Sequence, residues 1–217
     1  SLDMVIIAVC VLLIGTLWVV VVTRARIERR YTLAAAITAN DNGAATFEQY
    51  TVRTIDNADA LLQAVKREYA RSGALTDLYQ LLSDFGIGAD AYRGLGIIDE
   101  HGDLVMTTMR GIGATVNFSD REHFSVHAPQ DTGKLFVGRP VLSRLLGVMT
   151  IPLTRRINKA DGSFGGVVVA QIEPSRFIDI SQDATLRAND VLSLVGLDGI
   201  TRARRVGDRR SAGEDLS

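Results

Sequence analysis

The segments VMTIPLTRRI (148–157), NKADGS (158–163) and GGVVVAQI (165–172) decide the fold class. Both outer runs are rich in β-branched residues. The middle one carries Asp161-Gly162, a dipeptide that supplies the positive φ of a tight turn, so together they predict an antiparallel strand pair. Upstream, GLGII (94–98) and LVMTT (104–108) flank DEHGD (99–103), a second hairpin with Gly102 in the left-handed position. Leu135 to Leu142 adds one more strand. Five strands with a single short insert between the second and third predict an α+β domain on an antiparallel five-stranded sheet.

The N-terminal part has another character. MVIIAVCVLLIGTLWVVVV (4–22) contains no charge, and at ~1.5 Å per residue it reaches roughly 28 Å, about the thickness of a hydrocarbon core. The expectation is a transmembrane helix, uncleaved because the run ends in Val-Val-Val-Val-Thr-Arg rather than in a small-residue cleavage site. Arg24, Arg26, Arg29 and Arg30 follow it, and the positive-inside rule taken alone would place that side in the cytoplasm. Next, Phe47, Thr51, Ile55, Ala58, Leu62, Val65 and Tyr69 step by three or four, which puts one stripe on one face of a long helix stopping near Ser72-Gly73. Such a stripe packs on a sheet, on a twin helix in a homodimer, or on both. A shorter helix is expected from Thr76 to Ser83.

Composition excludes several classes. With 24 Lys and Arg against 25 Asp and Glu, the net charge of −1 offers nucleic acid no general attraction. One Cys rules out an internal disulfide and Cys-based zinc folds. Neither a P-loop nor a Gly-x-Ser-x-Gly elbow is present. No catalytic function and no cofactor are expected. After Ile172, a helix from Pro174 to Asp183 is expected. It leads to a strand pair, Val191 to Val195 and Thr201 to Arg204, turned by Asp198-Gly199.

Chemistry concentrates in the insert. Ser119-Asp-Arg-Glu122 fits a capping box and predicts a short helix to about His127. Arg121 in its first turn would join the free amides in holding a carboxylate, with His123 and Phe124 forming an aromatic wall or core. His123 and His127, four apart, with Asp120 or His101, also have a spacing that can hold zinc, but the glutamate a hydrolase would use as base is replaced by Phe124. No metal is therefore expected. Thr150 and Thr154 share one strand face and are candidates to supply hydroxyls.

GLGIID (94–99), FSDREHF (118–124), FVGRP (136–140), IPLTRR (151–156) and DGSFGGVV (161–168) occur in this order. Together with the anchor and long helix they resemble the double Cache (dCache, or PDC) extracytoplasmic sensor domain of bacterial transmembrane receptors, over about residues 24 to 200. The resemblance implies a PAS-like module outside the cytoplasm, which overrules the charge argument above. It further implies a small-molecule site between the sheet and Asp120 through Phe124, with Arg121 matching a carboxylate-binding arginine. Arg139 is a second candidate anion contact. Gln171 stands where amino-acid-binding members carry an Asp, so a small carboxylate, or another uncharged or anionic metabolite, suits the site better than an amino acid.

The expected organisation is a membrane anchor (1–23), a long and a short helix (24–85), a membrane-distal Cache module (86–183) and the start of a membrane-proximal module (184–217). The expected function is a ligand-binding input domain in the periplasm, held in the bacterial inner membrane and dimeric through the long helix. Its output would be a cytoplasmic diguanylate cyclase or histidine kinase. The alternatives are a ligand-free dimerisation module and a membrane-anchored metal hydrolase.

Overall fold

A computed structural model describes residues 2–72, 92–109, 116–179 and 190–217, without the side chains of residues 5 and 8–11. The chain divides into two compact units, Ser1–Glu48 and Gln49–Ser217. The helix expected from Thr76 to Ser83 lies outside the described residues, as do residues 180–183 of the one expected from Pro174 to Asp183.

The first unit belongs to helix α1 (Leu2–Ser72). Thr16, Thr32 and Thr38 donate their hydroxyls to carbonyls one turn back, so these hydroxyls are satisfied within the helix. Leu12, Leu13, Ile14, Leu17, Trp18, Val19 and Val20 are all 57–67% exposed, and they cover every side of the helix rather than one stripe. Among the described residues no helix is long and apolar enough to cross a membrane, so the span expected over 4–22 is not found there. Five apolar side chains of that run, at 5 and 8–11, lie outside the description.

In the second unit, α1 is described as far as Ser72, with the expected stop at Ser72-Gly73 at the edge of the described residues, and the strands follow: β1 (Gly94–Ile98), β2 (Leu104–Thr107), β3 (Phe136–Val137), β4 (Val141–Leu142), β5 (Met149–Asn158) and β6 (Phe164–Ile172). They form one antiparallel sheet in the order β2-β1-β6-β5-β3, with β4 also pairing β5. The sheet thus has six strands, not five. The expected run from Leu135 to Leu142 breaks at Gly138-Arg139-Pro140, where Gly138 lies against the Pro152 ring and Pro140 has no N–H to give a ladder.

Period-two alternation assigns the two faces. Leu95 and Ile97 of β1, Ile151, Leu153 and Ile157 of β5, and Val168, Ala170 and Ile172 of β6 pack with Ala58, Leu61, Leu62 and Val65 of α1. Each fully buried Leu or Ile there contributes about 1.5–3 kcal/mol. Ile55 and Tyr69 flank this cluster. The expected stripe is therefore real, but Leu62 and Val65, the positions offered to a twin helix, are fully buried against the chain's own sheet. The reason is shape: a flat apolar sheet face needs a helix across it, and α1 is the helix that covers it.

Arg155, also on this face, donates two hydrogen bonds to the Asp59 carboxylate of α1, with Arg155 Nη2 at 2.8 Å. Helix α3 (Ser175–Ile178) buries Phe177 and Ile178 in the same cluster. Beyond it, β7 (Val191–Val195), β8 (Thr201–Val206) and β9 (Arg209–Ser211) form a separate three-stranded sheet, with Gly199 at φ +76° in the expected turn and β9 an addition to the expected pair.

Candidate functional site

The opposite face of the sheet carries Gly94, Gly96 and Ile98 of β1, Val167, Val169 and Gln171 of β6, and Thr150, Thr154 and Arg156 of β5. Residues 117–127 lie over part of this face. Gly102 makes that placement possible. It sits at φ +90°, and a Cβ there would come 2.6 Å from the Ser119 amide nitrogen. The Phe118 amide donates to Gly102 O at 2.7 Å, and Asn117 Nδ2 donates to Asp103 Oδ1 at 2.9 Å. The β1–β2 turn is thus the seat of the insert.

The capping box expected at Ser119 does not form. Ser119 directs its amide and its hydroxyl to Asn117 Oδ1, at 2.9 and 2.6 Å, so it closes an Asx turn two residues too early to cap. Helix α2 (Glu122–Ser125) is one turn long, with Arg121 in extended conformation at its N-cap and no side-chain cap. Shorter than expected, it offers little dipole to an anion. What fixes it is Thr154. This fully buried hydroxyl donates to His123 O at 3.0 Å and meets His127 Nε2 at 2.9 Å. Since the one hydroxyl proton goes to His123 O, His127 Nε2 must donate. Arg156 donates to His127 O and Ala128 O, and its guanidinium lies 4.9 Å from the Phe164 ring centroid. Phe164 in turn meets Phe124 edge-on at 5.4 Å.

Between the insert and β1, β2 and β6 lies a small, open cleft. Its lining is Gly94, Leu95, Gly96, Ile98, Leu104, Thr107, Met109, Phe118, His123, Leu145, Val169 and Gln171. Two of the expected site residues meet here. His123 is 5% exposed, and its Nε2 is buried with no hydrogen-bond partner among the described residues. Gln171 accepts at Oε1 from Ser143 Oγ at 3.0 Å, which leaves the N–H₂ end of its amide for the cleft. Burial pushes the His123 imidazole down to about 4, with the Arg121, His127 and Arg144 charges adding to it, so the ring is neutral at physiological pH. His127 is also lowered to about 4, by burial first and then by Arg156.

The other expected residues lie elsewhere. Phe124 is in the core under the insert, with Ile98, Phe118, Val167 and Val169. Asp120 is held by Arg144, whose Nη1 and Nη2 donate to its two oxygens at 2.8 and 2.6 Å, and its carboxyl is lowered accordingly. Arg121 does not line the cleft; its Nη2 lies 3.5 Å from Leu142 O, and it makes no ion pair among the described residues. Arg139 is paired with Asp198 at 2.8 Å, tying the β3–β4 link to the β7–β8 turn. That contact, with Arg202 foremost, takes the Asp198 carboxyl to about 2. Thr150 is fully buried with an unpartnered hydroxyl, outside the lining. His101 is on the surface beside Glu100, and no group of three metal-ligating side chains is found among the described residues.

Sequence reasoning missed the floor of the cleft. Gly94 and Gly96 are two apart, so both leave the same face of β1 bare, and a Cβ on Gly96 would lie 2.9 Å from Met106 O. Paired glycines in a strand were the available signal.

This architecture recurs in solved structures. The extracellular domain of rpHK1S-Z16, assigned as a histidine kinase, matches with a TM-score of 0.64 at 24% identity, over 77% of this chain and 68% of that one. An extracellular ligand binding receptor from Desulfohalobium retbaense matches with a TM-score of 0.57 at 16% identity, over 72% of this chain. This chain spans only 29% of that receptor. The sensor domain of the V. cholerae histidine kinase DctB matches with a TM-score of 0.52 at 15% identity, over 77% of this chain and 66% of that one. No family model matches the sequence, and no curated protein matches it significantly. On these matches the chain has the fold of a Cache-type extracellular sensor domain.

Proposed function

We propose that this chain is the extracytoplasmic input domain of a bacterial inner-membrane signalling receptor and that it binds a small carboxylate or related metabolite in the cleft beside His123. The observation that carries the reading is the buried, unpartnered His123 Nε2 in a cleft whose floor is cleared by Gly94 and Gly96. A buried polar atom without a partner costs stability, and a ligand that satisfies it recovers that loss. Among the described residues no Asp or Glu lines the cleft to hold an α-amino group, which counts against an amino-acid ligand.

The exposed, uncharged side chains described between Met4 and Val22 support a membrane anchor, since apolar groups on all sides of a helix find an apolar solvent only in lipid. The residues after it then lie in the periplasm, with residues 191–217 opening a membrane-proximal module. Occupancy would pass to a cytoplasmic histidine kinase or diguanylate cyclase. A homodimer through α1 would use residues off the buried stripe, such as Val52, which is 49% exposed.

Two measurements test the proposal. A thermal-shift screen of small organic acids on the full chain in detergent yields a stabilising ligand, because binding to the folded state raises its stability by about 2.7 kcal/mol at a hundredfold excess over Kd. A reporter fused after Ser217 is active only outside the cytoplasm. No stabilising acid, or a reporter active only inside, overturns the proposal.

A further inference from the structure

Among the described residues no Lys, Arg, Asp or Glu lines the cleft, and its polar groups there are Thr107, His123 and Gln171. A carboxylate buried there would meet neutral donors. That is costly, because desolvating an ion is offset only by a compensating charge at close range. Arg144 is already neutralised by two hydrogen bonds to Asp120, and Arg121 reaches toward Leu142 O. His123 is the titratable group among the lining residues.

We propose, resting on the sensor reading above, that the cleft takes a small monocarboxylate together with one proton, which resides on the His123 imidazole. The ligand enters as its acid equivalent. Solvent supplies the proton, one N–H bond forms on the ring, and no other bond changes. The imidazolium donates from Nε2 to one carboxylate oxygen, and the Gln171 N–H₂, oriented by Ser143, donates to the other.

The surroundings of His123 fit such an exchange. From its own segment it faces Asp120, Arg121 and His127, and from the β4–β5 connection Arg144; on the sheet side the described cleft-lining residues are uncharged, and Arg156 of the same face is turned to the carbonyls of His127 and Ala128. With the cleft empty, burial and these cations keep the ring neutral down to about pH 4. A bound carboxylate reverses the sign of the nearest charge and raises the ring's affinity for a proton. Between that value and the raised one, each added pH unit weakens binding about tenfold. Uncharged ligands show no such trend.

Isothermal titration of the full chain in detergent tests this with propionate and isobutyrate, and with propionamide and isobutyramide as uncharged isosteres, from about pH 5 to pH 7.5. Titrations in two buffers of different ionisation heat count the protons without any variant. The expected result is one proton taken up per carboxylate, a tenfold loss of affinity per pH unit, and a flat profile for the amides. His123→Gln keeps an N–H donor but cannot titrate, and it removes both the uptake and the slope. Carboxylate binding without proton uptake, or a slope that persists in His123→Gln, overturns the proposal and leaves the sensor reading standing. Amides that bind while carboxylates fail at every pH overturn this proposal and the carboxylate part of the reading above, and leave the cleft standing as a ligand site. If neither series binds at any pH, the cleft is not the ligand site and both readings fail.

Discussion

Replacing Thr154 by valine removes one hydroxyl and keeps the β-branched shape, so it isolates the clamp that holds the insert to the sheet. The hydroxyl donates to His123 O at 3.0 Å and accepts from His127 Nε2 at 2.9 Å, and Thr154 is fully buried. Valine leaves one buried acceptor and one buried donor unsatisfied, each costing about 1–3 kcal/mol, so a loss of about 2–4 kcal/mol is expected once partial relaxation is allowed. Thr154→Ser keeps both hydrogen bonds and loses one methyl group, a cost of about 1 kcal/mol. Urea unfolding followed by circular dichroism measures both, with unchanged m-values showing that only the native state is affected. The His123 and His127 ring resonances should also broaden or shift in Thr154→Val, because their backbone loses its tether. A valine variant within about 0.5 kcal/mol of the parent, or a serine variant no better than valine, would refute the clamp.

Four further outcomes follow. Both buried histidines are lowered to about 4 against an ordinary value of 6.5, so the unfolded chain binds their protons first as pH falls. Stability is complete above pH 6.5 and drops toward pH 4 by up to about 1.4 kcal/mol per unit for each ring, and His127→Gln should flatten that slope in acid denaturation. Leu62→Ala opens a cavity under the sheet and costs about 2–5 kcal/mol. The loss is independent of protein concentration if the site is the chain's own core, whereas a loss that grows on dilution would return the residue to a dimer interface. Arg155→Met removes the charged hydrogen bonds to Asp59 and should cost about 1.5–3 kcal/mol near pH 7. The Asp59 carboxyl is lowered chiefly by Arg155, so the difference from the parent shrinks as pH falls through that depressed value, and a constant difference would sink the assignment. Finally, Gly94→Ala meets only the movable Met109 side chain, at 3.0 Å, whereas Gly96→Ala meets backbone, so the first should weaken ligand binding with little change in Tm and the second should destabilise by about 1–3 kcal/mol. Equal melting points for the two variants would contradict the floor described here.

Local order in the chain was enough to determine most of the strands, their turns and the helix stripe, though not the break at Gly138-Arg139-Pro140 or the added strand β9. β-branched runs alternate in two directions, Asp-Gly and His-Gly dipeptides permit positive φ, and apolar residues three or four apart mark one helix face, all of which act between near neighbours. The resemblance to Cache domains extended this to the fold. Tertiary structure alone decided what those surfaces meet. Leu62 and Val65 carry the same pattern whether a sheet or a twin helix covers them. Ser119 and Glu122 fit a capping box, but Asn117 and the close approach to Gly102 redirect Ser119 into a turn. Arg139 and Asp120 carry charges that could face a ligand, and each is instead claimed by a partner 59 or 24 residues away. Whether His123 becomes a buried, neutral group at the edge of a cleft depends on Thr154 and Gly102, which reach it only across the sheet. A site is made by such distant pairings, and their distances are fixed by folding rather than by any spacing along the chain.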